Sequence, residues 1–216
     1  MNIMLIAIIA INVVVSFKGF ENLAFFRKYE FHIGSIRAGE QYRMFSSAFL
    51  HADLPHLAFN MVTLYFFSAA VQKQLGDFSF LLIYIGSLIF GNLLTLLMHK
   101  DDYSYRAIGA SGAVTGVLYS AILLDPGMRV NPFMIPIEFL YMPGYVFGVI
   151  YLLYSIYGMK AKRDNIGHTA HFGGAIGGYV ITIIKDPALL TDNTLTVVLL
   201  AVPIVILFVM DRLGKL

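Results

Sequence analysis

Seven apolar runs alternate with short polar stretches along this chain of 216 residues. Most of them approach the roughly 20 residues that a helix needs to cross a bilayer. The runs cover residues 2–17, 55–72, 78–98, 111–124, 142–159, 168–184 and 195–210. The pattern predicts an all-α polytopic membrane protein with six transmembrane helices and a seventh, C-terminal span, which Pro203 is expected to kink.

The first run and the connection after it differ from the rest of the chain. No basic segment precedes residues 2–17 and no small-residue cleavage site follows them, so we expect a retained helix rather than a signal peptide. Residues 18–54 carry most of the charged side chains of the front half of the chain. A connection of this length is expected to contain short interfacial helices.

Composition narrows the function classes. Hydrophobic residues make up 58% of the chain, too many to bury in a soluble core of this size. Cysteine is absent, which excludes disulfides, thiol nucleophiles and cysteine-ligated metals. The net charge of +2 is spread over the loops without a basic run, so no nucleic-acid partner is expected. The bilayer itself is the expected partner.

The thirteen carboxylates all fall between the apolar runs or at their ends. Paired intramembrane aspartates and a buried acidic proton relay are therefore excluded. No HExxH motif is present, which removes the usual helix of a zinc metalloprotease. A metal site built from His51, His56 and His171 is disfavoured because no carboxylate accompanies these histidines in the spans. No cofactor or metal is expected.

The fourth apolar run opens with Gly109, Ala110, Ser111 and Gly112. This order places a hydroxyl at a helix N-terminus, where free backbone N–H groups and the helix dipole favour a developing negative charge. Ser111 is therefore a candidate nucleophile. The alternative is a start rich in small residues that only caps and packs the helix.

The sixth run carries a histidine on the same helix face as two glycines. His171, Gly174 and Gly178 are spaced i, i+3 and i+7, while Gly112 and Gly116 form a small-residue face on the fourth run. Two such faces allow the close helix contact that a serine–histidine hydrogen bond requires. The alternative is an interhelical histidine without a catalytic role.

A third polar group enters the second run. His56 and Asn60 are spaced i and i+4 on one helix face, and His51 precedes them. The side chains of His56 and Asn60 can both donate hydrogen bonds, so they could bind an oxyanion together with the backbone N–H of Ser111.

These three motifs, in this order, resemble the rhomboid family of intramembrane serine proteases. The resemblance covers residues 1–185 and implies a six-helix catalytic core, with residues 186–216 as a C-terminal extension. It implies that Ser111 is the nucleophile, that His171 is the general base, and that His56 and Asn60 bind the oxyanion. The supporting positions that it implies are His51, Gly109, Gly112 and Arg43.

The resemblance also implies the partners, which are transmembrane protein substrates cleaved within the bilayer. Two other classes stay open. One is a catalytically silent rhomboid-like protein that binds membrane proteins, and the other is a small channel or transporter. A channel or transporter would be expected to have inverted internal repeats or charged pathway residues, and the sequence contains neither. The sequence does not indicate an oligomeric state.

Thr115 departs from the family pattern, in which an aromatic residue four positions after the serine commonly stacks on the histidine. We expect the Thr115 hydroxyl to bond back to the carbonyl of Ser111 and the His171 ring to have more rotational freedom. We therefore expect Thr115→Phe to be tolerated and to raise cleavage modestly, and Thr115→Ala to change it little. The alternative is that the larger ring overpacks a tight helix contact.

Membrane orientation receives conflicting indications. With seven spans, Lys73, Arg129 and Lys185 lie on one side, and the other twelve of the 15 basic residues lie on the side of the first loop. The positive-inside rule would place that side in the cytoplasm. The resemblance implies a cell (inner) membrane protein whose active site opens away from the cytoplasm, and we follow it.

Overall fold

In the computed structural model, the described residues are 2–132, 137–161 and 166–216, and most of them are helical. The α-helices are α1 Ile3–Glu21, α2 Leu23–Tyr29, α3 Ile33–Arg37, α4 Arg43–Ser46, α5 Leu54–Met98, α6 Ser111–Leu124, α7 Gly144–Ala161, α8 His168–Lys185, α9 Leu189–Asp192 and α10 Thr194–Arg212. Two short antiparallel pairs join β1 Phe31–His32 to β2 Arg106–Ala107 and β3 Arg129–Val130 to β4 Met142–Pro143.

The second and third predicted spans are the two limbs of α5. Gly76 divides them with φ 80° and ψ 172°, a left-handed conformation that favours glycine. The Gln74 side chain donates to the carbonyl of Leu124 at the end of α6, whereas His99, just after α5, contacts Thr169 at the start of α8. The chain therefore reverses at Gly76, and residues 54–75 and 77–98 form an antiparallel pair.

Helix α6 forms the centre of the protein. Every residue of α6 after Ser111 is buried, because α8 and both limbs of α5 surround it. A Cβ atom on Gly174 would lie 1.9 Å from the carbonyl oxygen of Gly112, and one on Gly178 would lie 2.1 Å from that of Gly116. The predicted small-residue faces of α6 and α8 therefore meet backbone to backbone.

The extra C-terminal run forms a single helix, α10, that continues through Pro203. It packs against α7, where Leu200 occupies the space that a side chain on Gly148 would need. The Asn193 side chain, just before α10, donates to the carbonyl of Leu123. These contacts attach the extension to the core formed by α1, both limbs of α5, α6, α7 and α8.

Three of the described helices, α1, α5 and α10, are long and apolar enough to cross a membrane by length and composition. Large apolar side chains such as Phe66 and Val205 lie exposed on the outer faces of α5 and α10. A bilayer would cover such faces. The predicted all-α polytopic membrane fold is confirmed. The first loop contains three short helices, α2, α3 and α4, and their position at the membrane interface stays a prediction.

Candidate active site

A left-handed turn places Ser111 at the start of α6. Gly109 has φ +114°, and a Cβ atom there would lie 2.9 Å from the ring of His56, so both conformation and space favour glycine. The backbone N–H of Gly109 donates to the carbonyl of Ser47 at 3.0 Å. Ser111 is the first residue of α6, where backbone N–H groups have no acceptor within the helix.

The His51 ring connects this turn to α1 by hydrogen bonds. The Ser16 hydroxyl of α1 donates to the carbonyl of Phe49, so it accepts a hydrogen bond from Nδ1 of His51 at 2.8 Å. Nε2 of His51 accepts from the backbone N–H of Ala110 at 3.4 Å. Burial, and secondarily the charge of His56, lowers the pKa of His51 to about 3. The ring is therefore neutral, and it links α1 to the residue before Ser111.

Acidification should destabilise the protein through His51. Below pH 6.5 the unfolded chain binds a proton at this histidine, whereas the folded chain excludes it until the pH nears 3. The free energy of unfolding should thus fall by at most about 1.4 kcal/mol per pH unit. Thermal unfolding in detergent between pH 7 and 5 measures this slope. In His51→Gln the slope of the unfolding free energy against pH should be smaller by up to about 1.4 kcal/mol per pH unit. An unchanged slope would contradict a neutral, buried His51.

A short sheet and an ion pair connect the first loop to the segment before Ser111. The pairing of β1 with β2 aligns His32 with Arg106, and the buried Glu30 carboxylate binds the Arg106 guanidinium. The Arg43 guanidinium binds the Glu40 carboxylate and donates to the carbonyls of Arg27 and Glu30. Arg43 therefore braces the first loop through these bonds, and its described contacts are with loop residues rather than with the serine or histidine.

His171 meets Ser111 across the contact between α6 and α8. Its Nε2 lies 2.7 Å from the Ser111 hydroxyl oxygen, a hydrogen-bond distance between residues 60 positions apart. A Cβ atom on Gly112 would lie 3.0 Å from the carbonyl oxygen of Ala170, the residue before His171. The absence of side chains at Gly112 and Gly174 thus lets α8 approach closely enough for this bond.

Tyr151 of α7 is a site residue that the sequence analysis did not identify. Its hydroxyl lies 2.9 Å from Nδ1 of His171 and 3.2 Å from the hydroxyl of Thr115. The Tyr151 and His171 rings are nearly parallel, inclined by 19° with centroids 5.9 Å apart. A tyrosine hydroxyl inside an apolar span needs a polar partner, which is the signal that could have suggested this role.

Thr115 bonds back to its own helix as expected, with its hydroxyl donating to the carbonyl of Ser111 at 2.8 Å. The expectation of greater freedom for the His171 ring is not supported, because Tyr151 contacts Nδ1 of that ring. Thr115 is itself only 4% exposed, and Tyr151 lies beside it. A phenylalanine at position 115 would therefore overpack this contact.

A cavity of about 740 Å³ brings the remaining candidates together. Ser111, His171, His56 and Asn60 all line it. His56 lies at the start of α5, which Asp53 caps by accepting from the backbone N–H of His56 at 2.7 Å. The Asn60 side chain donates to the carbonyl of His56 at 2.9 Å through one of its two N–H bonds.

The metal site considered for His51, His56 and His171 would compete with hydrogen bonds that the described structure contains. Among the residues that the structure describes, no cluster of three or more His, Asp or Glu side chains has the arrangement of a metal site. Both ring nitrogens of His51 contact Ser16 or Ala110. Those of His171 contact Ser111 and Tyr151. A metal site shared by His51, His56 and His171 would therefore require the hydrogen bonds of His51 and His171 to break.

Sequence comparison identifies the family. The Rhomboid domain family model matches residues 38–187. The rhomboid-family protein YdcA of Bacillus subtilis (strain 168) is 34% identical over 146 residues, which are 68% of this chain and 68% of that protein. RHOMBOID-like protein 12, mitochondrial, of Arabidopsis thaliana is 26% identical over 159 residues, which cover 66% of this chain and 46% of the relative.

The rhomboid protease GluP of Bacillus subtilis (strain 168) is 31% identical over 144 residues, which are 67% of this chain but 26% of that longer protein. The chain thus spans less than half of the length of two of these three relatives. The matched region contains every candidate residue of the cavity described above. On this match and the identity to YdcA, the chain is a member of the rhomboid family.

Proposed function

We propose that this protein is an intramembrane serine endopeptidase in which Ser111 and His171 form a catalytic dyad. The observation that carries the proposal is the 2.7 Å contact between the Ser111 hydroxyl and Nε2 of His171, at the wall of a large cavity in a membrane-spanning helix bundle. Rhomboid membership and the relative GluP, which is named as a rhomboid protease, support protease activity.

The proposed chemistry begins with proton transfer from the Ser111 hydroxyl to Nε2 of His171 as the serine oxygen attacks a peptide carbonyl. The tetrahedral oxyanion would be bound by the backbone N–H of Ser111 and the side chains of His56 and Asn60. His171 then returns the proton to the leaving amine, and water hydrolyses the acyl-enzyme by the reverse sequence of proton transfers.

The cavity lining favours an apolar polypeptide segment as substrate. Phe59, Thr63 and Phe67 on the first limb of α5 face the cavity together with Phe147 and Tyr151 on α7. Aromatic and aliphatic surface of this kind suits side chains that come from the bilayer. We therefore propose that the substrates are transmembrane segments of other membrane proteins, which enter this cavity and are cleaved by Ser111.

A fluorophosphonate probe tests the proposal directly, because it labels an activated serine hydroxyl. The purified chain in detergent should be labelled and should cleave at least one member of a panel of transmembrane substrates. Ser111→Ala should not be labelled. Absence of both labelling and cleavage in the folded wild-type protein would contradict the protease and would favour the catalytically silent binding protein.

Asn60→Ala should lower the cleavage rate by about 10- to 1,000-fold. One donor among several is lost from the proposed oxyanion site, and the Asn60 amide already commits one N–H to the carbonyl of His56. Steady-state cleavage by Asn60→Ala and Asn60→Asp, with thermal unfolding as the folding control, measures the effect. An unchanged rate in a folded Asn60→Ala variant would remove Asn60 from the oxyanion site.

For the location we propose a cell (inner) membrane with the cavity opening away from the cytoplasm. His51 and Ser111 lie at the same end of the bundle as the loop of residues 99–110, whereas Leu124 lies at the other end. Accessibility tags near Asp101 should therefore report the outer side and tags near Asp125 the cytoplasmic side. The opposite pattern would reverse the orientation.

A further inference from the structure

Three hydroxyl groups and one imidazole form a continuous chain of contacts that begins and ends at Ser111. The Ser111 hydroxyl contacts Nε2 of His171 at 2.7 Å, and Nδ1 of His171 contacts the Tyr151 hydroxyl at 2.9 Å. The Tyr151 hydroxyl contacts that of Thr115 at 3.2 Å, and the Thr115 hydroxyl reaches the carbonyl of Ser111 at 2.8 Å. Three helices, α6, α7 and α8, contribute to this chain.

The direction of every hydrogen bond in the chain follows from its last link. A carbonyl oxygen only accepts, so the Thr115 hydroxyl donates its one proton to the carbonyl of Ser111. The Thr115 oxygen must then accept a hydrogen bond from the Tyr151 hydroxyl. The Tyr151 proton is then committed to Thr115, and the Tyr151 oxygen can only accept from Nδ1 of His171. A neutral imidazole with its proton on Nδ1 has a bare Nε2, which accepts from the Ser111 hydroxyl.

We propose that Tyr151, oriented by Thr115, is a positioning residue that selects the Nδ1–H tautomer of His171. This inference rests on the proposed protease function, because the selected tautomer is the one that can accept the serine proton. It also gives Thr115 a role. The family pattern places an aromatic ring at position 115, whereas here the ring beside His171 comes from Tyr151 of α7. The Thr115 hydroxyl sets the direction in which the Tyr151 hydroxyl donates.

Tyr151 is suited to this role because other contacts fix the position of α7. One turn earlier, the Tyr119 hydroxyl of α6 donates to the carbonyl of Gly148 at 2.6 Å. On another side, Leu200 of α10 packs where Gly148 has no side chain. Loss of the Tyr151 hydroxyl should therefore leave α7 in place, so Tyr151→Phe should keep the fold and remove only the selected proton direction.

The first readout is the tautomer itself, measured by the ¹⁵N chemical shifts of the histidine rings in the full chain in detergent micelles. Signals missing in His171→Ala identify His171. In the wild type, its proton should reside on Nδ1. In Tyr151→Phe and Thr115→Val the signals should move towards a mixture of both tautomers, because a serine hydroxyl can accept from Nε2–H as readily as it donates to Nε2.

The second readout is cleavage. Tyr151→Phe and Thr115→Val should each lower kcat by about 10- to 100-fold and leave KM within about twofold, since a misplaced base affects the chemical step rather than substrate binding. Thr115→Ser retains the hydroxyl and should therefore keep both the Nδ1–H tautomer of His171 and the wild-type kcat. A merely structural role of Thr115 or Tyr151 would instead appear as lost thermal stability.

Two variants serve as matched controls. Thr95→Val removes a buried threonine hydroxyl that likewise bonds back to its own helix, at Gly91, and Tyr157→Phe removes an exposed hydroxyl from α7. Both should retain the wild-type tautomer and kcat.

An Nε2–H tautomer in the wild type, or an unchanged tautomer in both Tyr151→Phe and Thr115→Val, would overturn the proposal whether or not the protein cleaves substrates. A wild type with the Nδ1–H tautomer that cleaves nothing would instead contradict the proposed function and leave the tautomer selection standing.

Discussion

Ser111→Ala and His171→Ala should each reduce cleavage of a transmembrane substrate by about 10³-fold or more. The two side chains act as a unit through their 2.7 Å contact, and the loss of either removes the nucleophile or the base that activates it. The double variant should be no slower than the single ones, because the second substitution removes a group that already has no function. Product formation under single-turnover conditions measures the difference.

Controls for this experiment come from the same end of the protein. Ser104→Ala removes an exposed hydroxyl from the loop before α6, and His32→Ala removes a first-loop histidine that contacts Ser35. Both should keep most of the wild-type rate. Helical circular dichroism and thermal unfolding should match between Ser111→Ala and the wild type. Substantial cleavage by folded Ser111→Ala would refute the serine mechanism.

Gly174→Ala should have the largest effect on the fold. The new methyl carbon would lie 1.9 Å from the carbonyl oxygen of Gly112, so backbone meets backbone and no flexible side chain can yield. Helices α6 and α8 must separate, at a cost of about 1–3 kcal/mol or more in the free energy of unfolding. The separation also lengthens the contact between Ser111 and His171, so cleavage should fall by about 100-fold or more.

Thermal unfolding and cleavage measured on the same Gly174→Ala sample test this prediction. Gly127→Ala is the matched control, because among the described residues a Cβ atom there would meet only the Asp125 side chain, at an ordinary 3.6 Å. This control should retain stability and rate. Gly178→Ala, which would place a methyl carbon 2.1 Å from the Gly116 carbonyl oxygen, should resemble Gly174→Ala in stability. Wild-type stability in Gly174→Ala would contradict the close helix contact.

Much of the fold could be predicted from the periodicity of the sequence. The seven apolar runs correspond to α1, the two limbs of α5, α6, α7, α8 and α10. The length of a run follows from the thickness of the bilayer, and helical spacing decides which residues share a face. The glycine faces of α6 and α8 were predictable for this reason, and so was the back-bond from Thr115 to Ser111.

The short sheets and the role of Tyr151 could not be predicted in this way. Each strand has two residues, and β1 pairs with β2 about 75 positions away, too short and too distant for a local pattern. Helix α7 carries several tyrosines, among them Tyr145, Tyr154 and Tyr157, and its composition favours none of them. Only the packing of α7 against α6 and α8 selects Tyr151 as the partner of His171.

The sequence by itself determined the helical membrane fold, the order of the spans and the residues that carry candidate chemistry, because bilayer thickness and helix periodicity act locally along the chain. The tertiary structure decided which hydroxyl meets Nδ1 of His171, how His51 holds the turn before Ser111, and where Arg43 makes its contacts. These contacts join residues that are 13 to 59 positions apart. Their geometry depends on how closely whole helices approach, which no single segment encodes.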